Sequence, residues 1–129
     1  MSDFRFHRNG DEELIIVGVM LDHKQELRLA IDTGATHTTI DFNALQLSGY
    51  ELRNKIATVF NETANGIVES EIFEVKQIIG LGIIRNNFRI QVYDFLAHGI
   101  YSDYHGLLGL DFFEGRKFCI DLNANVITL

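Results

Sequence analysis

Short apolar segments alternate with polar turns along most of the chain. The first of them, Leu14–Leu21, is followed by the polar residues Asp22–Gln25 and then by a second apolar segment, Glu26–Ile31. Two apolar segments that are joined by a short polar stretch are typical of a β-hairpin. The pattern therefore predicts a hairpin whose second strand ends at Ile31.

The same alternation continues to the end of the chain and predicts further strands. They cover Thr38–Ile40, Ile56–Phe60, Ile67–Ile79, Phe88–Phe95, Phe118–Leu122 and Val126–Leu129. Turns are predicted at Asn61–Gly66 and at Gly80–Gly82, and the pair Asn65-Gly66 favours positive φ. We therefore expect Ile56–Ile79 to form a long hairpin with a polar tip.

Helical signals are short and few. Asp41–Leu47 predicts one or two helical turns with Asp41 as the N-cap and an end near Gly49, because Asp favours helix starts and Gly favours helix ends. A second short helix is predicted from Asp111. Since nearly every other segment reads as a strand with a tight turn, the predicted class is all-β with one or two short helices.

Length and composition favour a single packed domain over residues 1–129. A chain of this length can bury a core without a metal or a disulfide, and 47% of its residues are hydrophobic. The chain has 11 glycines and no proline, so Gly, Asn and Asp must make its turns. Cys119 has no second cysteine to pair with, and Met1–Gly10 lacks the apolar core of a secretory signal, so we expect a cytoplasmic location.

Charge and residue spacing argue against several classes of partner. The formal net charge of -7 disfavours nucleic acid, which is bound mainly through Lys and Arg. No apolar run is long enough to span a membrane, so no membrane partner is expected. The histidines lie in no HxH or HExxH arrangement and Cys119 has no cysteine at ligand spacing, so no metal site is expected.

One acid stands at the end of an apolar strand. In "RLAIDTGATHTTI", residues 28–40, Asp32 follows Leu29, Ala30 and Ile31 directly. A carboxylate in this position loses hydration, and hydrogen bonds or a function must compensate for that loss. Asp-Thr-Gly alone is a weak motif, because an Asx turn or a helix N-cap also explains an Asp at a strand end.

The wider context of this acid resembles a known family. "LAIDTGATHT" at residues 29–38, together with "GLLGLDFF" at 106–113, resembles the retropepsin-like aspartic proteases, and "TANG" at 63–66 resembles the flap of their bacterial single-domain members. The resemblance covers roughly the whole chain. It implies a closed β-barrel or sandwich with a flap hairpin that covers the substrate.

The resemblance implies a homodimeric aspartic endopeptidase. Such an enzyme activates water between two carboxylates, one acting as general base while the protonated one polarises the scissile carbonyl. The chain offers one Asp-Thr-Gly, so Asp32 of each protomer would supply one carboxylate across a two-fold axis. The substrate would be a peptide or protein, and no cofactor is expected because the nucleophile is water.

The neighbours of Asp32 take their expected roles from the same resemblance. Thr33 would cross-link the two active-site loops, and Gly34 would let the two backbones approach closely. The family carries Ser or Ala at the place of Ala35. Because Ala35 has no hydroxyl to favour the ionised carboxylate, we expect activity at mildly acidic rather than strongly acidic pH.

Substrate contacts are expected from two segments. One is the loop after Asp32, with Ala35, Thr36 and His37, although His37 also fits a solvated loop histidine. The other is the tip of the flap hairpin, which is expected to close over an extended peptide. The tip residues concerned are Asn61, Ala64, Asn65 and Gly66. A surface hairpin without a lid function is the alternative for this segment.

Two departures from the retroviral pattern concern the dimer. Thr36 and Leu110 stand where those relatives carry an acid and an Arg that pair, so one support of the dimer interface is missing here. By the same resemblance, the C-terminal "VITL" is a candidate source of interface strands. Leu107, Leu108 and Gly109 match the apolar-apolar-Gly segment that supports the Asp loop, and we interpret them as structural.

A second function fits the same sequence. A catalytically silent retropepsin-like domain that binds peptides or serves dimerisation would also carry an intact Asp-Thr-Gly, because a fold does not fix a function. Loss of cleavage on Asp32→Asn would favour the enzyme, and peptide binding without turnover would favour the silent module.

Overall fold

The computed structural model describes residues 2–8, 13–64 and 66–129. Strands make up most of this part of the chain. They are, in order, β1 (Asp3–Arg5), β2 (Ile16–Leu21), β3 (Gln25–Ile31), β4 (Thr39–Asp41), β5 (Ala57–Thr63), β6 (Gly66–Gly80), β7 (Ile83–Tyr93), β8 (Gly106–Leu108), β9 (Cys119–Asp121) and β10 (Val126–Thr128). The predicted all-β class is confirmed.

The helical segments are as short as the sequence predicts. One α-helix, α1 (Phe42–Leu47), follows β4 directly. Single 3-10 turns cover Leu52–Asn54, Leu96–His98 and Leu110–Phe113, and the last of these takes the place of the second predicted helix. No helix among the described residues is long and apolar enough to cross a membrane.

Six strands form a closed barrel. Their order is β2-β3-β8-β4-β7-β6, and β6 pairs back onto β2 through Met20 with Ile79 and Leu21 with Ile78. Strand β8 runs parallel to β3 and antiparallel to β4, while β4 runs parallel to β7. Because the last strand pairs with the first, the ring has no open edge. The predicted closed barrel is confirmed.

The barrel interior follows from the alternation of the strands. In β2, Val17, Val19 and Leu21 are buried while Gly18 and Met20 are exposed, as expected when successive side chains point to opposite faces. The fully buried side chains come from all six strands of the ring, from α1, from the 3-10 turn after β8 and from β10. The largest are Phe73, Phe112, Leu21, Leu27, Leu29, Ile40, Leu45, Ile78, Ile83, Ile90, Leu108 and Ile127.

A long hairpin extends beyond the ring. Strand β5 pairs antiparallel with the first half of β6, from Ala57 opposite Ile72 to Thr63 opposite Gly66. Gly66 has a φ of +114°, a conformation that favours glycine. We call residues 57–72 the flap hairpin. Its strands reach further towards the tip than the sequence predicts, since β5 continues beyond Phe60.

Three strands near the chain ends form a second sheet. Its order is β1-β10-β9, with Phe4 opposite Ile127 and Ile127 opposite Ile120. Strand β10 contains most of "VITL" and lies between two strands of its own chain. Both edges of β10 are thus paired within one protomer, and a contribution of this segment to a dimer interface stays a prediction.

Three local features differ from the sequence prediction. Asp41 is the N-cap residue of α1 as predicted, but its carboxylate makes no capping hydrogen bond; Oδ1 accepts the N–H of Phe95 at 3.0 Å instead. Strand β7 begins at Ile83 rather than Phe88, because positive φ at Leu81 and Gly82 makes a tight two-residue turn. Strands β1 and β8 are not predicted, since both are short and pair only with distant segments.

Candidate active site

Asp32 is positioned by the strand that lies beside it. Ile31, the last residue of β3, pairs with Leu108 of β8, and the Asp32 N–H donates to the Leu108 carbonyl oxygen at 3.0 Å. The apolar-apolar-Gly segment thus fixes the point at which the chain leaves the barrel. This is the supporting role that the sequence indicates for Leu107, Leu108 and Gly109.

The turn after Asp32 holds its carboxylate from one side. The Gly34 N–H donates to Asp32 Oδ1 at 2.9 Å, and the Ala35 N–H donates to the Asp32 carbonyl oxygen at 3.1 Å. Among the described residues, no other donor reaches the carboxylate. Asp32 is half-buried and Thr33 and Gly34 are exposed, so the carboxylate stays accessible at the surface of the protomer.

A second carboxylate anchors the other end of the loop. Thr38 is fully buried, and its N–H donates to Asp111 Oδ1 at 2.9 Å and Oδ2 at 3.1 Å. The Thr38 hydroxyl donates to Oδ1 at 2.8 Å and accepts the Gly109 N–H at 3.1 Å. The Leu110 N–H donates to the Ala35 carbonyl oxygen at 2.8 Å. The loop from Asp32 to Thr38 is therefore tied down at several points.

Gly109 allows this close packing. A Cβ at this position would lie 2.6 Å from the carbonyl carbon of His37 and 2.9 Å from the carbonyl oxygen of Ala35. Both are backbone atoms and have no rotamer by which to move away. A similar limit holds at Gly106, where a Cβ would overlap the Thr39 carbonyl oxygen. The segment beside the loop must therefore carry glycine at these two places.

An open cavity of about 520 Å³ lies between the flap hairpin and the segment after β7. Asn61, Ile67 and Ser70 line it from the hairpin, and Gln91, Tyr93 and Ile100 line it from the other side. Its position follows from the strand register, because the Gln91 N–H donates to the carbonyl oxygen of Thr38 at 3.0 Å. The cavity thus adjoins the strand that leaves the Asp32 loop.

The floor of this cavity is a network of amides and a hydroxyl. The Asn61 side-chain amide donates to Ser70 Oγ at 3.1 Å and to Gln91 Oε1 at 3.0 Å. Ser70 is buried, and Asn61 and Gln91 are half-buried. Burial is the main cause that raises the pKa of Tyr93, followed by charge interactions with Tyr104 and Asp41. The lining of the cavity thus combines this polar network with the apolar side chains of Ile67, Val68 and Ile100.

The residues singled out in the sequence fall into three groups. Asp32, Thr33, Gly34 and Ala35 share one turn. Thr36 and His37 are exposed on the same loop, where the Thr36 hydroxyl and His37 Nδ1 are 2.9 Å apart, and neither lines the cavity. Asn61 lines the cavity, Ala64 and Gly66 are exposed at the hairpin tip, and Asn65 lies outside the described residues.

Sequence reasoning missed two parts of this site. The sequence pattern predicts Asp111 only as a helix start, although an acid directly before the apolar pair Phe112 and Phe113 indicates a carboxylate with internal partners. It predicts Gln91 and Tyr93 only as strand residues. Within the part of the chain that the structure describes, no group of three or more His, Cys, Asp or Glu side chains is placed to hold a metal ion.

Known proteins share this architecture. The sequence profile of a family described as aspartyl protease matches residues 17–112. A sequence search of curated proteins gives no match. Among solved structures, the crystal structure of a retropepsin-like aspartic protease from Rickettsia conorii is similar to this chain, with a TM-score of 0.71 and 20% sequence identity over 98% of this chain and 88% of that one.

The two comparisons carry different weight. At 20% identity the structural likeness shows a shared retropepsin-like fold and no more. The family profile runs from β2 to the 3-10 turn after β8, and it includes both Asp32 and Asp111. Since it spans more than half of the 129 residues, the chain belongs to the aspartyl protease family.

Proposed function

We propose that this chain is one retropepsin-like domain that acts as a homodimeric aspartic endopeptidase. The observation that carries the proposal is the accessible carboxylate of Asp32. Its carboxylate is half-buried, has one backbone donor from Gly34, and stays accessible on a loop that is otherwise firmly anchored. A carboxylate that is held in place and still has acceptor positions open to a substrate or water suits a catalytic acid or base.

The chemistry needs two such carboxylates and one water molecule. One Asp32 takes a proton from the water while the protonated Asp32 of the second copy donates its proton to the scissile carbonyl oxygen. The water oxygen bonds to the carbonyl carbon and gives a tetrahedral diol. As the C–N bond breaks, the Asp32 that took the water proton donates it to the leaving nitrogen, and the other Asp32 takes a proton from a diol hydroxyl. The products are a carboxylic acid and an amine, and the pair again shares one proton.

One protomer supplies half of this site. Asp32 is the one Asp of the chain that is followed by Thr-Gly, so the second carboxylate must come from a second copy. Thr33 and Gly34 are exposed beside it and are available to the partner loop. The proposed dimer therefore sets Thr33 and Gly34 at the two-fold axis, where Gly34 lets the backbones approach.

The peptide is proposed to lie between the Asp32 loop and the flap hairpin. An extended peptide can pair with strand edges through its backbone and place alternate side chains in pockets. The cavity lined by Asn61, Gln91 and Tyr93 lies beside β4, the strand that follows the Asp32 loop, and suits one such side chain. The other proposed substrate contacts are Ala35, Thr36 and His37 of the loop and Ala64, Asn65 and Gly66 of the hairpin tip. A cytoplasmic location is also part of the proposal.

The test is cleavage of a diverse peptide mixture between about pH 4 and pH 7, the range suggested by a carboxylate pair that shares one proton. Wild type, Asp32→Asn and Asp103→Asn are compared at several protein concentrations. The Asp103 carboxylate is exposed and lies 4.0 Å from Arg28, whose guanidinium donates instead to the Asp103 backbone carbonyl, so Asp103→Asn controls for the loss of one negative charge.

We expect cleavage by wild type and Asp103→Asn that rises faster than linearly with protein concentration, and none by Asp32→Asn. Analytical ultracentrifugation checks that the Asp32→Asn protein still dimerises. Equal cleavage by Asp32→Asn would refute the proposal. If all three proteins dimerise and bind peptides without cutting any, the silent peptide-binding module is the better description.

A further inference from the structure

Two amide side chains in the cavity beside the flap hairpin share one hydrogen bond and keep two groups free. The Asn61 NH2 group uses both of its hydrogens, one towards Ser70 Oγ at 3.1 Å and one towards Gln91 Oε1 at 3.0 Å. Asn61 Oδ1 and Gln91 Nε2 have no partner among the described residues, and neither atom is closed off from solvent. The cavity is therefore offered one acceptor and one donor.

The strand pairing holds these groups in place. Asn61 lies on β5, Ser70 on β6 and Gln91 on β7, so the Asn61 amide reaches across the middle strand to the third one. Ser70 is only 1% exposed and accepts from Asn61, while its hydroxyl hydrogen has no acceptor in the part of the chain that the structure describes. The network thus joins three strands and still has hydrogen-bonding capacity left for a ligand.

Charged groups lie next to this cavity rather than in it. Its lining of described residues includes no Asp, Glu, Lys or Arg. A smaller cavity of about 230 Å³ shares Tyr93 and His98 with it. The smaller cavity is also lined by the acids Glu69, Glu71 and Asp94. These acids disfavour a further negative charge in the larger cavity, because like charges repel each other.

We propose that the larger cavity selects a substrate side chain that ends in a carboxamide, that of Gln or Asn. The carboxamide oxygen accepts from Gln91 Nε2, and the carboxamide NH2 group donates to Asn61 Oδ1, so each free group of the protein gains its complement. The apolar side chains of Ile67, Val68 and Ile100 pack against the methylene groups of the substrate. The inference rests on the proposed function, since it assigns the chemistry of one substrate residue.

Other side chains of similar length fit the network less well. A Met side chain would cover both free groups without bonding to either, and a polar group that loses water without gaining a partner costs free energy. A Glu side chain has acceptors only, so Asn61 Oδ1 stays unpaired and the new charge faces the neighbouring acids. A Lys side chain has donors only, so Gln91 Nε2 stays unpaired, although the acids attract its charge. Lys is therefore the strongest competitor.

The experiment uses the full chain and a randomised peptide mixture at about pH 6, where a Glu side chain is ionised. Mass spectrometry identifies the cleaved peptides. One of them is then synthesised with Gln, Met, Glu or Lys at the selected position, and a parallel set carries Asn, Leu or Asp. Competition between two peptides in one reaction gives the ratio of their kcat/KM values, which does not depend on the amount of active enzyme. For wild type we expect the carboxamide to exceed each competitor by about tenfold or more.

Two substitutions of Gln91 change the network in different ways. Gln91→Met keeps the length of the side chain and removes the donor, so the ratio of the Gln peptide to the Met peptide should fall to about twofold or less. Gln91→Glu keeps an acceptor for Asn61 and replaces the free donor by a carboxylate oxygen, so the preference should move from Gln to Lys by about tenfold. Because the second variant gains a specificity, misfolding cannot imitate its result.

Gln77→Met is the matched control. Gln77 lies on β6, its Nε2 donates to Asn86 Oδ1 of β7 at 2.9 Å, and it lines neither of the two cavities. The control variant thus also loses an amide–amide hydrogen bond between strands, but it should keep the wild-type ratio. Urea unfolding measures the stability of each variant. If Gln91 served stability alone, its loss would lower the unfolding free energy and leave the ratio in place.

A binding experiment separates this inference from the endopeptidase. Asp32→Asn protein is mixed with the same peptides, and the retained peptides are identified by mass spectrometry. If wild type cuts nothing, but Asp32→Asn retains carboxamide peptides and loses this preference when Gln91→Met is added, the endopeptidase is refuted and this inference stands. Cleavage that favours no carboxamide at any position overturns the inference and leaves the endopeptidase standing. A wild-type preference for Lys, an unchanged ratio in both Gln91 variants, or a mixture from which no peptide is cut or retained also overturns it.

Discussion

Asp32 and Asp111 lie at the two ends of the same loop and differ in the hydrogen bonds that their carboxylates accept. Asp111 accepts the N–H and the hydroxyl of the buried Thr38, so both of its oxygens have partners inside the protein. Asp32 accepts one N–H, from Gly34, and is otherwise accessible. An aspartate is thus a structural anchor after β8, at Asp111, and an accessible carboxylate after β3, at Asp32. The number of internal donors separates the two roles.

This difference depends on the packing around the Asp32 loop. Hydrogen bonds to a charged group stabilise a protein by about 1.5–3 kcal/mol each when they are protected from water. Those of Asp111 hold the backbone at Thr38, while the Gly34 N–H only orients Asp32. The comparison therefore predicts that changes at the anchor reduce stability and that changes at the turn reduce activity.

The largest effect is expected from Gly109→Ala, with Gly34→Ala as its matched control. The added Cβ at Gly109 meets backbone atoms at 2.6–2.9 Å, so the unfolding free energy should fall by about 3 kcal/mol or more. At Gly34 the added Cβ meets only Asp32 Oδ1, at 3.2 Å, and the φ of Gly34 is not in the left-handed region. Its stability should change by less than about 1 kcal/mol, while peptide cleavage falls because the methyl group lies beside the carboxylate.

Urea unfolding and the peptide assay check both variants. Wild-type stability in Gly109→Ala would show that the loop can move away from β8, and the comparison between anchor and turn would then fail.

Replacing each acid by its amide tests the same comparison directly. Asp111→Asn keeps the size of the side chain but removes the charge and one acceptor, so we expect a loss of about 2 kcal/mol in unfolding free energy. Asp32→Asn should change the stability by less than about 0.5 kcal/mol, because the carboxylate has one backbone donor and is half-exposed.

The two amide variants should also differ in activity. Asp111→Asn is expected to keep measurable cleavage well below its melting temperature, whereas Asp32→Asn should lose at least about a hundredfold. Chemical denaturation and initial rates at 15 °C give both quantities. Loss of activity without loss of stability in Asp111→Asn would show that Asp111 takes part in the chemistry.

The sequence predicted the Asp32 turn but not its anchor, and the reason is the range of the contacts. The turn is local, since its bonds join residues that are two or three positions apart, so a short motif reveals it. Asp111 meets Thr38 only because β8 lies between β3 and β4. A single sequence carries no signal for such a pairing.

The strands of the fold also differ in whether their pairing partners are near or far along the chain. The hairpins β2–β3 and β5–β6 join neighbouring segments, and their alternating residues predicted them. Strands β1 and β8 have three residues each and pair with segments far along the chain, so their pattern predicted nothing. The closed barrel was therefore expected from the family resemblance and not from the pattern of the strands.

A third carboxylate, Asp22, extends the comparison to the first hairpin. Asp22 Oδ1 accepts the Gln77 N–H at 2.9 Å and Oδ2 accepts the Tyr50 hydroxyl at 2.5 Å, so it should behave as an anchor like Asp111. Tyr50→Phe removes this hydroxyl but keeps the ring that packs edge-on against Phe73. At pH 7 we expect a loss of about 1–2 kcal/mol in unfolding free energy and unchanged cleavage.

The same variant has an alkaline signature. Burial, followed by the hydrogen bond to Asp22, raises the pKa of Tyr50 from 10.0 to about 12. Between these values the unfolded chain loses the phenolic proton while the folded one keeps it, so the contribution of Tyr50 is complete below pH 10 and is lost as the pH rises through 12. The stability difference between wild type and Tyr50→Phe should therefore shrink above pH 10 in urea titrations. A constant difference up to pH 12 would contradict this assignment.

The smallest effect is expected from Ala35→Ser, which changes the free carboxylate and leaves the anchor untouched. The backbone at Ala35 is fixed on both sides, through its N–H to the Asp32 carbonyl and its carbonyl to the Leu110 N–H, so a serine enters without moving the loop. A hydroxyl that donates to the Asp32 pair favours the ionised form, and the acidic limb of the kcat/KM profile should move to lower pH by up to about one unit. Ala124→Ser makes the same chemical change in the exposed turn between β9 and β10 and should leave the profile in place. If both variants keep the wild-type profile, residue 35 does not set the pH range, although Asp32 would still differ from Asp111 in its number of internal donors.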